Sequence, residues 1–174
     1  QLLRHRSGIA NFTNSPLYLT YYTKPKTEDE MVKIIADGGS IFTPDSKAEY
    51  SNSNYVLLTF ILEETYGKSF QELLEERITG PLKLENTQIF DEIKPEENEA
   101  RSYSFKDNWT LEAETDPSIP LGAGAIQSTV ADLAVFIENL FAGELISQES
   151  LAKMTELQDG FGRGIFSFPY YDRK

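Results

Sequence analysis

The sequence contains no cysteine and a single histidine, His5. The lack of cysteine excludes disulfide bonds, zinc sites built on thiolates and a cysteine nucleophile, but it leaves the compartment open, since exported proteins can also lack cysteine. No carboxylate or second imidazole stands at metal-ligand spacing from His5, and nothing supports a Ser-His-Asp triad. We therefore expect no metal and no other cofactor, and we expect His5 to pack or to form a local hydrogen bond.

Positive charge is also scarce. The 16 basic residues stand against 28 acidic ones, which gives a net charge of −12 and a pI of about 4.5. Such a surface repels a phosphate backbone, which argues against nucleic acid as a partner. No apolar run reaches the roughly 18 residues that cross a bilayer. Residues 1–6 do not resemble a signal peptide and no initiator methionine precedes them, so we read the chain as a piece of a longer protein.

The chain has 174 residues, of which 40% are hydrophobic, and this is enough for one folded domain with a hydrophobic core. Apolar residues at helical spacing, with Ser or Thr caps and glycine stops, predict five helices. They span residues 28–37, 54–66, 70–78, 130–141 and 147–157. The second should be central and buried, because apolar side chains cover nearly every face of its first two turns. Gly80-Pro81 should end the third.

Strand patterns are few. Polar and apolar residues alternate on both sides of Lys106-Asp107-Asn108, which predicts a short β-hairpin within residues 101–113. A further strand is expected near residues 165–168, whereas the acidic residues 85–99 are expected to form a solvated loop. The chain is therefore predicted to be mainly α with a small β-hairpin.

The step Tyr50-Ser51-Asn52 leads directly into the predicted buried helix. A Tyr-x-Asn triplet means little by itself, because about 0.4 matches are expected by chance in this composition. One interpretation is that Tyr50 packs and that Asn52 or Ser51 caps the helix. The other is functional, since a helix N-terminus favours a developing anion. A phenol assisted by a nearby lysine can transfer a proton, and a carboxamide can donate to and accept from a substrate amide.

Four stretches, in order along the chain, resemble segments of the penicillin-recognising serine hydrolases. Residues 2–9 are similar to the Leu-Leu-x-His-Thr-Ser-Gly-Leu segment of that family, with Arg6 in place of the threonine. Residues 50–58 resemble its Tyr-x-Asn segment, residues 66–82 its Gly-Lys-Ser and Ile-x-x-Pro-Leu stretch, and residues 122–133 its glycine-rich loop and following helix. The nearest branch is the class C β-lactamase-like group, which includes D-alanyl-D-alanine carboxypeptidases and esterases.

The resemblance implies a mechanism. A serine in Ser-x-x-Lys attacks a carbonyl and forms an acyl-enzyme, lysine and tyrosine manage the proton, and a Lys-Thr-Gly or His-x-Gly strand completes the cleft. Carried onto this sequence, Tyr50 is the expected general base or acid partner. Asn52 is expected to bind the substrate amide and to position the lysine, while Gly122 and Gly124 line the substrate site. The implied substrates are peptides, β-lactams or esters.

Two parts of that mechanism are missing from the sequence. The single Ser-x-x-Lys, Ser150 to Lys153, follows Tyr50 instead of preceding it and falls in a predicted amphipathic helix, and no Lys-Thr-Gly or His-x-Gly occurs near the C-terminus. We therefore expect residues 1–174 to be the helical subdomain of a serine β-lactamase-like fold, truncated, without the main α/β sheet domain and inactive alone. An uncovered apolar face should then drive self-association. By analogy, the parent protein is expected to be bacterial and extracytoplasmic.

Two other functions stay open. A non-catalytic binding module of the same fold would hold peptides in the cleft around Tyr50 and Asn52. A Ser-x-x-Lys some tens of residues upstream in the coding sequence would favour the enzyme instead. An acidic glycosidase-like enzyme would use paired carboxylates such as Asp91 and Glu92, and its activity would survive Tyr50→Phe.

Overall fold

The structure, a computed structural model, describes residues 1–168. Its α-helices are α1 (Tyr18–Tyr21), α2 (Glu28–Gly38), α3 (Asn52–Tyr66), α4 (Phe70–Leu74), α5 (Gly80–Leu82), α6 (Val130–Ala142) and α7 (Gln148–Thr155). Short 3-10 turns occupy Leu2–Arg4, Phe12–Asn14, Pro95–Glu97 and Leu121–Ala123. Strands β1 (Gln88–Ile89) and β4 (Ile126–Gln127) form one antiparallel pair, and β2 (Tyr103–Phe105) and β3 (Trp109–Leu111) form another. The predicted mainly α class is confirmed.

Helix α3 supplies the centre of the core. Its Val56 and Phe60 pack in one buried cluster with Met31 and Ile35 of α2 and with Phe12 and Ile119. The prediction that α3 is central and buried holds for its first two turns, since no residue of 52–59 is exposed, but it fails for the C-terminal half, where Ile61 and Leu62 are exposed. The helix meets α2, α4 and the 3-10 turns at Leu2–Arg4, Phe12–Asn14 and Leu121–Ala123.

Local capping chemistry sets the helix boundaries. Two capping boxes are formed, by Thr27 with Glu30 at α2 and by Ser69 with Glu72 at α4, and they agree with the Ser and Thr caps expected from the sequence. Thr129 and Ser147 cap α6 and α7 through their side chains. Each of these side-chain oxygens satisfies an N–H that the helix leaves free. The predicted ends of α2, α3, α6 and α7 agree with the structure within two residues.

The prediction that Gly80-Pro81 ends the third helix is wrong. The chain continues from α4 through a π-helical turn, Glu75–Thr79, into α5, and the N–H of Gly80 bonds to the carbonyl of Glu75. A proline inside a regular α-helix clashes with the carbonyl four residues earlier and lacks a donor. The wider π turn just before Pro81 lets the helix pass the proline.

The hairpin is where the sequence predicts it, with Phe105 opposite Trp109 across the turn. The β1–β4 pair was not predicted, because strands of two residues are too short to show an alternation of polar and apolar side chains. It joins the expected loop at residues 85–99 to the chain just after the Leu121–Ala123 turn. The strand expected to begin near residues 165–168 is not formed up to residue 168, where this segment makes an isolated bridge between Phe161 and Phe166, and its expected continuation lies outside the described residues.

Helix α6 leaves an apolar stripe uncovered. Val130, Leu133, Ile137 and Phe141 recur at helical spacing on one face, and each is between 47% and 86% exposed. None of the helices in residues 1–168 is long and apolar enough to cross a bilayer. The stripe is thus the clearest apolar face for the expected self-association, which stays a prediction.

We predict that the 174-residue chain self-associates through the α6 stripe, because burying its apolar side chains is favourable. Light scattering at rising protein concentration should report a growing mass. Ile137→Glu should reduce that growth, whereas Leu19→Glu, at an exposed position on α1, should not. A monomer at all concentrations, or equal effects of the two variants, would contradict the prediction.

Candidate functional site

Tyr50 stands at the mouth of a pocket. Its side chain is 52% exposed and it precedes Ser51, the residue before the first turn of α3. The pocket encloses about 210 Å³, and its other walls come from His5, Tyr55, the Gly122 turn and the segment 161–166. The functional interpretation of the Tyr-Ser-Asn step requires such an opening beside the tyrosine.

His5 lies buried against Tyr50. The two ring centroids are 4.5 Å apart, and the rings of Tyr55 and Phe161 lie at 5.2 Å from the same imidazole. His5 Nδ1 accepts the backbone N–H of Ser51 at 3.1 Å, so the neutral ring carries its proton on Nε2. Burial lowers the pKa of His5. His5 therefore packs and forms a hydrogen bond, as expected, but its partner Ser51 lies 46 positions away along the chain.

A chain of hydrogen bonds fixes the side chain of Asn52. The phenol of Tyr50 donates to Asn52 Oδ1 at 3.1 Å, and Asn52 Nδ2 donates to Thr13 Oγ1 at 3.1 Å. The Thr13 hydroxyl in turn donates to Asn11 Oδ1 at 3.1 Å. Because an amide has two donors and two acceptor lone pairs, Asn52 keeps one N–H and one lone pair for a further partner.

The first turn of α3 is capped from a distance. The side chain of Ser51 makes no capping hydrogen bond, and its buried hydroxyl has no partner among the described residues. Instead Asn11 Oδ1 accepts the N–H of Asn52 at 3.1 Å. The interpretation in which the side chain of Ser51 or Asn52 caps the helix is therefore wrong.

Three further hydrogen bonds join the N-terminal segment to the same turn. Ser53 Oγ donates to the carbonyl of Ala10 at 2.6 Å and accepts the N–H of Phe12 at 3.1 Å. Ser7 Oγ donates to Asn54 Oδ1 at 2.6 Å. All these polar groups are buried or partly buried, and buried polar groups are costly unless paired.

The two predicted glycines differ in position. Gly122 lines the pocket, and its N–H donates to Thr59 Oγ1 of α3 at 3.0 Å. A Cβ at Gly122 would approach Thr59 Oγ1 to 2.4 Å, so this close approach requires glycine. Gly124 follows the Leu121–Ala123 turn and is not among the residues that line the pocket.

Sequence reasoning missed Asn11, Thr13 and Tyr55 as parts of this site. Burial raises the pKa of the Tyr55 phenol, which stays protonated near neutrality and donates to the carbonyl of Leu3 at 3.0 Å. No local pattern could reveal Asn11 or Thr13, since 39 positions separate Thr13 from Asn52.

We predict that His5 titrates below the usual value of about 6.5, because burial disfavours its charged form. The unfolded chain then binds the proton more readily, so the free energy of unfolding decreases as pH falls from about 6.5 toward the folded pKa, and His5 contributes no pH dependence above that window. NMR titration of this single histidine measures the pKa directly.

Urea unfolding of the His5→Gln variant separates the pH dependence of stability that comes from His5 from any part that comes from carboxylates. Its unfolding free energy should depend less on pH between about 5 and about 7 than that of the parent chain. A His5 resonance that titrates at or above its usual value would refute the prediction.

We also predict that the Thr13 hydroxyl orients the amide of Asn52. Thr13→Val removes the acceptor for Asn52 Nδ2 at constant shape, which should shift the Asn52 side-chain amide signals in NMR spectra and cost about 1 kcal/mol of stability. Thr13→Ser should restore both, and Thr23→Val at an exposed position should change neither. Unshifted Asn52 signals in Thr13→Val would remove Thr13 from this role.

Comparison with known proteins gives consistent matches. The Beta-lactamase family model matches residues 1–169. The teichoic acid D-alanine hydrolase of Staphylococcus aureus is 30% identical over 149 residues, which cover 84% of this chain and 35% of that protein. The D-amino acid amidase of Ochrobactrum anthropi SV3, solved with L-phenylalanine, superposes with a TM-score of 0.83 at 31% identity and covers 98% of this chain and 53% of that one.

Two more solved structures share the fold. A D-stereospecific amidohydrolase from Streptomyces sp. has a TM-score of 0.82 at 29% identity over 94% of this chain and 54% of its own. A penicillin binding protein from Bacillus halodurans has a TM-score of 0.80 at 20% identity, which shows the fold alone. The chain spans about a third of the length of the curated relatives it matches. Because the Beta-lactamase family model matches the whole of the described residues, the chain belongs to the beta-lactamase family of serine hydrolases.

Proposed function

We propose that this chain contributes Tyr50 and Asn52 to the active site of a serine acyl hydrolase, with Tyr50 in the pocket lining and Asn52, which is not part of that lining, hydrogen-bonded to it. The observation that supports the proposal is the geometry at the start of α3, where an exposed phenol at a pocket mouth donates to an amide that is itself held in place. Tyr50 would exchange a proton with the reacting group, assisted by a lysine. Asn52 would use its remaining N–H and lone pair to hold a substrate amide.

We infer amides or esters of D-configured aminoacyl groups as the substrate class. The relatives at about 30% identity that support this are named for D-alanine and D-amino acid substrates. The aromatic pocket walls of Tyr55, Phe161 and Phe166 suit a small apolar side chain. The teichoic acid D-alanine hydrolase of Staphylococcus aureus supports our expectation of a bacterial protein that acts outside the cytoplasm.

The attacking serine would come from sequence outside these 174 residues. Ser150 and Lys153 are unsuited to the role, because Lys153 Nζ pairs with Glu149 at 2.6 Å on exposed α7 and the Ser150 hydroxyl bonds to Ser147. A second candidate is a peptide-binding module of the same fold without a nucleophile. Labelling of the complete gene product by a fluorescent penicillin separates the two, since only the enzyme forms an acyl adduct.

We predict that Tyr50→Phe in the complete gene product lowers kcat for D-alanine p-nitroanilide by about a hundredfold or more, with a small change in KM, because general acid–base groups contribute on this scale. Tyr66→Phe is the matched control, since Tyr66 is 49% exposed on α3 and lies outside the pocket. Its kinetics should equal those of the parent protein.

Two outcomes would overturn the proposal. One is full activity of Tyr50→Phe. The other is acylation of the 174-residue chain alone by a fluorescent penicillin at Ser51, Ser53 or Ser150, located by mass spectrometry of its peptides.

A further inference from the structure

The β2–β3 hairpin displays its apolar side chains on one face. The register pairs Tyr103 with Leu111 and Phe105 with Trp109, and alternate residues of a strand share a face. All four side chains are 50–71% exposed. The rings of Phe105 and Trp109 lie 5.1 Å apart. A soluble protein rarely presents so continuous an apolar face without a use for it.

The edges of this hairpin are also open. Within residues 1–168, β2 and β3 pair only with each other. Unpaired N–H and carbonyl groups at a sheet edge are a template for a further strand. The surface therefore offers both an apolar face and backbone hydrogen-bonding groups to an extended segment.

The surroundings of the hairpin are strongly acidic. Residues 85–116 contain ten acidic and three basic side chains, a net charge of −7 out of −12 for the whole chain. At the base of the hairpin, the Glu114 carboxylate accepts the N–H of Ser102 at 3.0 Å and its hydroxyl at 3.2 Å. Glu114 also lines a pocket of about 780 Å³ together with Glu85, Glu97 and Glu99. Apolar face and negative charge thus meet at one place.

We propose that the face formed by Tyr103, Phe105, Trp109 and Leu111 is a docking surface for a positively charged peptide segment with apolar side chains at alternate positions. Paired along an edge of the hairpin, such a segment places its apolar residues beside the aromatic face. Its lysines or arginines then reach the surrounding carboxylates, an attraction that salt weakens. The four residues lie outside the Tyr50 pocket, so the proposal is independent of the proposed reaction.

The negative charge around the hairpin favours a cationic partner over the other candidates for this face. A second copy of the chain would bring another net charge of −7 against the first, and anionic lipid would be repelled in the same way. A cationic strand gains from both features at once.

The test uses Trp109, the single tryptophan of the chain, as an intrinsic fluorophore. A blocked decapeptide of alternating lysine and leucine should shift its emission to shorter wavelength in a saturable way, because docking removes the exposed indole from water. Alternating glutamate and leucine should give no shift, and alternating lysine and serine a much weaker affinity. Raising the salt concentration should weaken binding of the lysine–leucine peptide.

Two variants probe the two features of the surface. Phe105→Ser should weaken binding by about tenfold or more, since a central aromatic anchor is lost. Glu114→Gln, which keeps an acceptor for Ser102, should weaken binding less and reduce its salt dependence. The controls Leu19→Ser and Glu149→Gln change exposed residues of α1 and α7 and should bind like the parent chain.

Other occupants give distinct results that overturn the proposal. A shift that grows with protein concentration without peptide assigns the face to a second copy. A shift with phosphatidylcholine vesicles assigns it to a lipid surface. No shift with the lysine–leucine peptide, or an equal shift with the glutamate–leucine peptide, removes the cationic partner altogether.

Discussion

The hydrogen bonds between the N-terminal segment and the first turn of α3 are the constraint on which the site depends. They join His5 to Ser51, Asn11 to Asn52, and Ser53 to Ala10. Each group is buried or partly buried, so an unmade bond would cost about 1–3 kcal/mol. The network therefore allows one register between two segments that lie some forty positions apart. Because Tyr50 immediately precedes this turn, its place at the pocket mouth follows from that register.

Arg6, the departure from the family pattern, reinforces the same assembly. Its nearly buried guanidinium pairs with Asp45 at 2.6 Å and with Asp159, and its hydrogen bond is the main reason that the pKa of Asp45 is lowered. Asp45 lies in the loop that leads toward Tyr50, and Asp159 lies in the turn before Phe161, whose ring packs on His5. One side chain thus links both flanks of the pocket. A threonine is too short and uncharged to make the two ion pairs.

The contrast between what the sequence predicts and what it misses has a physical origin. Caps such as Thr27 with Glu30, and the alternation that marks the Phe105–Trp109 hairpin, are local and can be read directly. Tyr50 and Asn52 are two positions apart, so their proximity can also be read from the sequence. The roles of Asn11 and Thr13 cannot be read, because hydrogen bonds between distant segments leave no periodic pattern. The π turn before Pro81 could not be predicted from the sequence for another reason. Proline ordinarily ends a helix, and here a local widening of the helix lets it continue.

The two notable surfaces of the chain are built in opposite ways. At Tyr50 the side chains are held by several buried hydrogen bonds, so the donor and acceptor directions are fixed before any ligand arrives, as the proposed catalytic role would require. At the hairpin, three residues per strand and two open edges provide little intrinsic stability, because isolated two-stranded hairpins are marginal in water. A partner strand that pairs with an edge would order the hairpin as it binds. Preorganisation thus suits the proposed catalytic role of the Tyr50 site, and adaptability suits the proposed role of the hairpin as a docking surface.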